Sequence, residues 1–392
     1  MNINIARSVL PVALLACMAT IGQAEAADVQ YRVKHLGPVD GTPNRGNSVN
    51  NLGWVSGYSS KDGIGPQHRR ATLWAYGHKL DLGTLGGPNS NVAWPVKNNI
   101  GRIVGISQTD TPDPLGENWS CSAFFTKDAT GKTCLGFVWE FGTMRALPTL
   151  GGNNGFASGA NNFGLISGWA ETAVHDTTCV APQVLQFRAV VWGPKRDQIR
   201  ELPPLKGDSS GAATAINDKG QVVGISGDCD VAVGRFTAKH AVLWDKGRPI
   251  DLGNLGAEMW VTPMAITQRG DVIVGFAALP ETTDPDSPVL RAFIWTKATG
   301  MQRLAELPGD TSSQANGVNA FGHAVGTSCG AGGCRAVLWK DGVVHDLNDL
   351  VEPDYAGHLE QGQDINDFGK ITGRAVDPSI GKRPAFEAVP IL

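Results

Sequence analysis

Few residues of this chain have the types and spacing of a catalytic or metal-binding site. The first candidate for a catalytic residue is a serine. Gly207-Asp208-Ser209-Ser210-Gly211 matches the Gly-x-Ser-x-Gly pattern that presents a hydrolase nucleophile. That chemistry requires a strand-to-helix turn that lifts the hydroxyl above an α/β sheet. Equivalent segments elsewhere carry Gly-Pro-Asn-Ser and Gly-Asp-Thr-Ser, so a polar turn explains the motif better. The histidines are scattered, without a His-Glu-x-x-His pattern or a recognisable His/Ser/Asp set.

The second candidate is calcium binding by two acidic loops. Clustered carboxylates suit Ca²⁺, a hard cation that takes oxygen ligands, but the spacing fits no defined calcium loop and solvated Asp/Pro turns are common. The sequence therefore predicts no required cofactor and leaves Ca²⁺ open as an alternative. The acidic residues are Asp110, Asp113 and Glu117 in one loop and Glu281, Asp284 and Asp286 in the other.

Two tryptophans stand apart from the regular tryptophan spacing described below. Trp119 and Trp260 fall at loop or crossing positions among Asn, Ser and Asp. An exposed aromatic ring there could stack on a sugar or anchor a protein partner. The alternative is a loop residue folded onto the edge of a sheet. Together with Asp110 and Asp284, these tryptophans form the predicted ligand-binding set.

The cysteines predict disulfides rather than a metal site. Six remain after an N-terminal leader, and they lack the Cys-x-x-Cys or His-x-x-x-His spacing of zinc ligands. An even number in an exported chain is typical of disulfides. The expected pairs are Cys121–Cys134, Cys329–Cys334 and, between matching loops of neighbouring units, Cys179–Cys229.

The elements that position these residues come from an internal repeat. Residues 212–255 read as four short strands rich in β-branched residues and bounded by Gly, Asn or Asp, which is typical of a four-stranded antiparallel meander. Looser copies recur at an interval of about fifty residues. The turn glycines are Gly53, Gly101, Gly164, Gly220, Gly270, Gly322 and Gly369. Three residues before them stand Asn50, Asn98, Asn161, Asn217, Thr267, Asn319 and Asn366.

Two further sets of equivalent positions recur at the same interval, and we call each such set a column. The third strand carries Trp74, Trp139, Trp192, Trp244, Trp295 and Trp339, with Ala388 in the seventh unit. A Leu-x-x-Leu pair is assigned to the fourth strand in six units. We therefore predict seven units.

The ends of the chain predict a closed ring. The chain stops after a third strand, whereas residues 31–39 form an unpaired fourth strand at the start. Letting the first strand complete the last sheet removes exposed edges. The predicted fold is a single all-β domain over residues 27–392, a seven-bladed β-propeller of four-stranded antiparallel blades.

The repeat resembles a known family. Leu-Gly-x-Leu-Gly-Gly, then Ala-x-x-Ile-Asn-Asp-x-Gly-x-Val-Val-Gly, then His-Ala-Val-Leu-Trp is similar to the HAF repeats of predicted bacterial extracellular proteins. The resemblance covers residues 31–392 and implies secretion and a repeat fold. It transfers no catalytic residue, because the family carries no established activity.

Residues 1–26 are predicted to be a signal peptide. Arg7 is followed by an apolar stretch, and Ala24-Glu25-Ala26 fits a small-x-small cleavage site. We expect a secreted, extracellular or periplasmic protein without a transmembrane segment. The alternative is a lipid tether at Cys17, because Leu14-Leu15-Ala16-Cys17 resembles a lipoprotein cleavage box.

Composition limits the classes of partner. With 50 glycines and only 18% charged residues the chain is a turn-rich β domain, and its net charge of −4 comes without a basic stripe, so nucleic acid is not an expected partner. We expect a monomer.

Strand alternation divides the molecule into two faces. The short turns between strands 1–2 and 3–4 lie on one face, which we call the short-turn face. The long 2–3 loops and the blade crossings lie on the other, the long-loop face, where binding is usually built. We expect a non-catalytic scaffold that binds a glycan or an extracellular protein there.

The alternative is a polysaccharide-cleaving hydrolase or lyase on the same frame. Such an enzyme needs two carboxylates, or a base with an Arg or Tyr, at one end of the channel. The sequence offers Asp208, Asp228, Asp310 and Arg235 as loose candidates without a motif to select among them.

Overall fold

The computed structural model describes residues 30–37, 44–60, 68–117, 121, 124, 125, 131–230, 235–257, 259–279, 289–379 and 381–391. The predicted signal peptide and Cys17 lie outside these residues. The described residues form seven four-stranded antiparallel sheets, as predicted.

Each blade takes its strands in chain order with the first strand innermost, except that the N-terminal strand supplies the fourth strand of blade 7. Blade 1 comprises β2 Arg45–Val49, β3 Val55–Ser60, β4 Arg69–Ala75 and β5 His78–Asp81. Blade 2 comprises β6 Gly86–Asn91, β7 Ile103–Pro112, β8 Lys132–Glu140 and β9 Thr143–Ala146. Blade 3 comprises β10 Gly151–Ala160, β11 Ile166–His175, β12 Leu185–Trp192 and β13 Ile199–Leu202. Blade 4 comprises β14 Ser210–Ile216, β15 Val222–Gly227, β16 His240–Asp245 and β17 Arg248–Asp251.

The remaining three blades follow the same order. Blade 5 comprises β18 Val261–Ile266, β19 Ile273–Ala278, β20 Leu290–Thr296 and β21 Gly300–Arg303. Blade 6 comprises β22 Asp310–Val318, β23 Ala324–Gly330, β24 Gly333–Lys340 and β25 Val343–Asp346. Blade 7 comprises β26 His358–Ile365, β27 Ile371–Val376 and β28 Ala385–Ile391, completed by β1 Gln30–Leu36. Short 3₁₀ helices span Arg235–Ala238 and Leu347–Leu350.

The N-terminal strand closes the ring. β1 pairs with β28 over seven residues, from Gln30 opposite Ile391 to Leu36 opposite Ala385. Tyr31 and Leu36 are buried, and Arg32 contacts Glu352 with nitrogen and oxygen 2.9 Å apart. The predicted closure by the first strand is confirmed.

The asparagine column does more than shape the 1–2 turns. The seven turn glycines have φ between +71° and +82°, as the turn requires. The Oδ1 atom of Asn217 accepts hydrogen bonds from the backbone of Lys219 and Gln221 within its own turn. Its Nδ2 atom donates to the Thr267 carbonyl of the next blade, 3.2 Å away. The asparagine amide donates to a carbonyl of the next blade in five of the seven turns, whereas Asn98 Nδ2 donates to Arg102 within its own turn and Thr267 has no amide.

The second turn position extends this inter-blade network. The backbone N–H of Asn51 donates to the side chain of Asn99, and Asn99 donates in the same way to Asn162. Equivalent bonds join Asn162 to Asp218, Asp218 to Gln268, Ala320 to Asp367 and Asp367 to Asn51. Blade 6 carries Ala320 here, and an alanine side chain cannot accept a bond from blade 5.

The tryptophan column packs between blades. Trp244 is 1% exposed within a cluster that includes Leu202 and Val191 of blade 3. Its Nε1 atom donates to the Pro203 carbonyl, 2.6 Å away. Trp192 and Trp339 make the equivalent bonds to the preceding crossing.

Two strand boundaries differ from the sequence expectation. Six of the seven fourth strands are only four residues long, and the Leu-x-x-Leu pairs lie at or beyond their ends because the leucine side chains turn into the space between blades. The glycine-rich segments at Gly86 and Gly151, which lie at the blade crossings in the sequence repeat, begin β6 and β10. Register shifts there let the irregular residues join the ladder.

The three predicted disulfides are present. Cys121–Cys134, Cys179–Cys229 and Cys329–Cys334 are bonded. The second joins neighbouring blades 3 and 4 across the long-loop face. Among the described residues, no helix combines the length and apolar character needed to cross a membrane.

Candidate functional site

An irregular segment of blade 2 crosses the central channel. β6 ends at Asn91, and residues 92–98 continue without a strand partner. The Lys97 ammonium pairs with the buried carboxylate of Asp364 in blade 7. From blade 5, Gln268 Nε2 donates to the Lys97 carbonyl over 3.1 Å. The segment therefore divides the channel into two cavities.

The cavity on the long-loop side has a volume of about 310 Å³. One wall is aromatic and belongs to blades 2 and 5, with Trp94, Phe124, Trp260 and Phe276. The Trp94 ring centroid lies 5.6 Å from that of Phe124, and Trp260 lies 5.9 Å from Phe276. Trp94 and Trp260 pack against one apolar cluster that contains Met264, so both rings are held in place.

A second wall of the cavity is cationic. Arg45 begins β2 and Arg69 begins β4, and both line the cavity. Their guanidinium carbons lie 5.6 Å and 4.7 Å from the centre of the Tyr58 ring. Arg69 Nη1 also donates to the Phe124 carbonyl, which links the two walls.

Tyr58 lies behind these arginines and is 4% exposed. Burial alone would raise the pKa of its hydroxyl, but Arg45, Arg69 and Arg374 together hold that pKa below the ordinary tyrosine value. Arg374 is itself paired with Glu360 across 2.9 Å, so Arg45 and Arg69 supply the positive charge that favours an anion at the adjoining surface.

Carboxamide side chains complete the lining, from Asn91, Gln314, Asn316, Gln361 and Gln363. Four buried polar atoms of lining residues have no hydrogen-bond partner within the described part of the chain: Arg45 Nε, Asn91 Oδ1, Trp94 Nε1 and Gln361 Oε1. No Asp or Glu is present among the described residues that line the cavity. Donors, acceptors and positive charge therefore face an interior that lacks carboxylates.

The structure describes two of the four predicted ligand-binding residues. Trp260 is partly buried in the aromatic wall, with Nε1 bonded to Thr262 Oγ1 at 3.0 Å. Asp110 is exposed near the end of β7 and does not line the cavity. Trp119 and Asp284 lie outside the described residues, as do Glu281 and Asp286.

Glu117 of the predicted acidic loop lies beside a second buried glutamate, Glu171. Glu117 and Glu171 are 0% and 1% exposed, and Gln183 Nε2 donates to both, over 3.3 Å and 3.1 Å. Burial, followed by the neighbouring charge of Glu117, raises the pKa of Glu171 to about 7. Asn154 Nδ2 donates hydrogen bonds to Asp113 Oδ2 over 3.0 Å and to Glu171 Oε1 over 3.3 Å, so both carboxylates already have a protein partner. The glutamate pair lies in the protein interior rather than in a cleft.

One group of metal-capable side chains occurs in the part of the chain that the structure covers. It consists of Asp176, Cys179 and Cys229, whose two sulfurs form a disulfide. This group is therefore structural.

The serine motif does not form a nucleophile site. Ser209 Oγ bonds to Thr178 Oγ1 over 2.9 Å. Asp208, from the same motif, accepts from Ser226 Oγ and from His240 Nδ1, at 2.6 Å and 2.9 Å. Ser226 thus bonds to the carboxylate and not to the imidazole, whereas a Ser-His-Asp triad requires a serine–histidine bond.

The other enzyme candidates also lie apart from the cavity. Asp310 pairs with Arg335 across 3.0 Å and accepts from Ser328 Oγ at 2.7 Å, which repeats the Asp208 arrangement in blade 6. Asp228 follows β15 and does not line the cavity, and the Arg235 side chain lies outside what the structure describes. Repeated carboxylates with local partners stabilise the blade crossings.

Comparisons with known proteins support the fold. No family model and no curated protein matches the chain. The β-propeller domain of the Trilobed protease from Pyrococcus furiosus, described as having an open velcro topology, is similar, with a TM-score of 0.51 and 10% identity over 92% of this chain and 93% of that one. Here β1 and β28 are paired instead.

Two enzymes of known structure show weaker likeness. Polysaccharide lyase Uly1 matches with a TM-score of 0.48 and 9% identity, over 94% of each chain. Puromycin hydrolase matches with a TM-score of 0.45 and 12% identity, over 89% of this chain and 52% of that one.

Sequence reasoning missed Trp94, Arg45 and Arg69. Trp94 stands four residues before the turn asparagine, where the other units carry Gly, Ala or Pro, and that departure from the repeat is a usable signal. The arginines gave no local signal, because they meet only when blade 1 packs against its neighbours.

Proposed function

We propose that this protein is a secreted, non-catalytic binding protein whose ligand is an acidic glycan held in the long-loop cavity. The observation that carries the proposal is the pairing of an aromatic wall, with Trp94 and Trp260, and a cationic wall, with Arg45 and Arg69, in one cavity. Aromatic rings stack on the apolar face of a sugar, and guanidinium groups bind carboxylate or sulfate. Carboxamides between the walls suit sugar hydroxyls.

Size and compartment agree with this function. Ligand pockets usually hold about 300–1,000 Å³, so the cavity would take one or two sugar units. The three disulfides fit an extracellular or periplasmic protein. We also propose, from the repeat itself, that the chain belongs with the HAF repeat proteins.

A glycan array tests the proposal. The oxidised protein should bind uronate-containing or sulfated oligosaccharides, and Trp94→Ala or Trp260→Ala should weaken binding by at least about tenfold. Phe141→Ala is the matched control, because Phe141 is fully exposed on the other face. Equal binding by all three variants, or binding of a protein partner alone, would remove the glycan proposal.

A lyase is the second candidate, and Tyr58 is the observation that favours it. A phenolate could take the proton next to a uronate carboxyl group while arginines neutralise that group; a C=C bond then forms, the C–O bond breaks and the leaving oxygen is protonated. Tyr58 is buried and does not line the cavity, which favours binding over elimination. Ultraviolet absorbance of an unsaturated uronate product, lost in Tyr58→Phe, would reverse that preference.

A further inference from the structure

The short-turn face carries an unusual set of exposed apolar side chains. The residue before the turn glycine is apolar in five of the seven 1–2 turns, and these side chains are 50–73% exposed: Leu52, Ile100, Phe163, Phe321 and Phe368. Tyr76 and Phe141 in the neighbouring 3–4 turns are 79% and 96% exposed. Topology places all seven at the same end of the ring.

Hydrogen bonds hold in place the turns that carry these side chains. The backbone N–H groups of Phe163, Phe321 and Phe368 each donate to the turn asparagine two residues earlier. The inter-blade hydrogen bonds described above join those turns to their neighbours. The rings therefore cannot be buried by a local change of the turn.

The rest of the face is positively charged. The two remaining 1–2 turns carry Lys219 and Arg269 at the same position, and both are exposed. Nearby turns add Lys79, Arg102, Lys195, Arg196, Arg200, Lys246, Arg248, Lys297, Lys340 and Lys370, against the acids Glu140, Asp197, Asp218, Asp245, Asp271, Asp341 and Asp367. Positive charge thus exceeds negative charge here, in a chain whose net charge is −4.

The chain enters the domain at this face. Gln30, the first described residue, pairs with Ile391 at the end of β28, which runs toward the short-turn face. Tyr31 and Pro390 line an apolar groove together with Phe321 and Phe368. Gln30 therefore lies at the same end of the ring as the apolar side chains.

We propose that the short-turn face docks on an anionic lipid surface and leaves the long-loop cavity facing outward. Aromatic and aliphatic tips spread around a ring suit the headgroup boundary, and basic residues are attracted to anionic lipids. A protein interface favours one contiguous apolar centre instead. Here polar side chains, among them Asn51, Asn99 and Asp218, line the cavity inside the ring of tips, so no single apolar centre forms. Phe321 and Phe368 share one groove, and Leu52 and Tyr76 share another.

Vesicle sedimentation tests the docking surface. The chain beginning at Ala27 contains all strands of the propeller, and it should bind vesicles of phosphatidylcholine with phosphatidylglycerol more strongly than vesicles of phosphatidylcholine alone. The triple variant Phe163→Ser/Phe321→Ser/Phe368→Ser should bind at least about tenfold more weakly. Lys219→Glu/Arg269→Glu should remove the preference for the anionic vesicles.

The matched control is Val174→Ser/Val180→Ser, which changes two side chains of 54% and 53% exposure near the 2–3 loop of blade 3. The control should bind vesicles like the unchanged protein, and all variants should keep its melting temperature. Absence of vesicle binding, or equal binding by the triple variant, overturns the proposal. Self-association that the triple variant abolishes would assign the face to a second copy of the chain instead. Glycan binding is measured separately, so either proposal can fail alone.

Discussion

At the scale of single residues, the chemistry of the molecule is divided between two environments. Arg45 and Arg69 face a cavity without carboxylates, whereas Glu117 and Glu171 share a buried site between blades 2 and 3. The first arrangement favours an anionic ligand. The second arrangement destabilises the folded state whenever both glutamates are charged.

The glutamate pair predicts a pH-dependent stability. The folded-state pKa of Glu171, about 7, lies above the value in an unfolded chain, so the native state holds the proton more tightly. This contribution is present at low pH and is lost as pH rises from about 4.5 to about 7, at a cost of about 3 kcal/mol.

Glu171→Gln tests this effect, because the amide oxygen can still accept from the Asn153 and Asn154 backbone. The melting temperature of the unchanged protein should fall between about pH 5 and about pH 8, and the variant should lose most of that fall. Parallel curves for the two proteins would show that Glu171 is not responsible.

At the scale of elements, the 1–2 turn unites local and inter-blade structure. Asn217 bonds to its own turn and to Thr267 of the next blade, so one repeated residue both shapes the turn and links two blades. The sequence columns predicted the turn from its Asn and Gly residues. The inter-blade bonds could not be read from them, because spacing along one unit does not show which atoms meet in the next.

Blade 6 offers a direct test of the inter-blade ring. Ala320→Asn would supply the missing acceptor for the Gln268 backbone N–H, beside a cavity of about 190 Å³ that leaves room for the side chain. One added hydrogen bond should raise the free energy of unfolding by about 0.5–1.5 kcal/mol. Ala320→Leu fills similar space without an acceptor and should not stabilise the protein in a denaturant titration. If both variants behave alike, the side-chain acceptor has no role.

At the scale of the whole molecule, the fold was predictable and the site was only partly so. Seven in-phase copies and the surplus first strand are enough to predict a closed ring. The site depends on departures from the repeat, such as Trp94-Pro95, and on distant contacts, such as Lys97 with Asp364. The periodicity of the sequence repeat cannot predict such contacts.

Ring closure is testable with a matched pair of tyrosines. Tyr31 of β1 is 3% exposed against blade 7, so Tyr31→Ala should cost about 3–5 kcal/mol of unfolding free energy. Tyr76→Ala, at an exposed turn, should change it by no more than about 0.5 kcal/mol. A neutral Tyr31→Ala would mean that β1 is not docked in solution.

The central claim is that the long-loop cavity binds an anionic glycan. Isothermal titration with one uronate oligosaccharide, in its native and its carboxyl-reduced form, tests it most directly. The account predicts that the native form binds, that reduction weakens binding by at least about tenfold, and that Arg69→Gln causes a similar loss for the native form alone. Equal affinity for the two forms, or an unchanged Arg69→Gln variant, would contradict it.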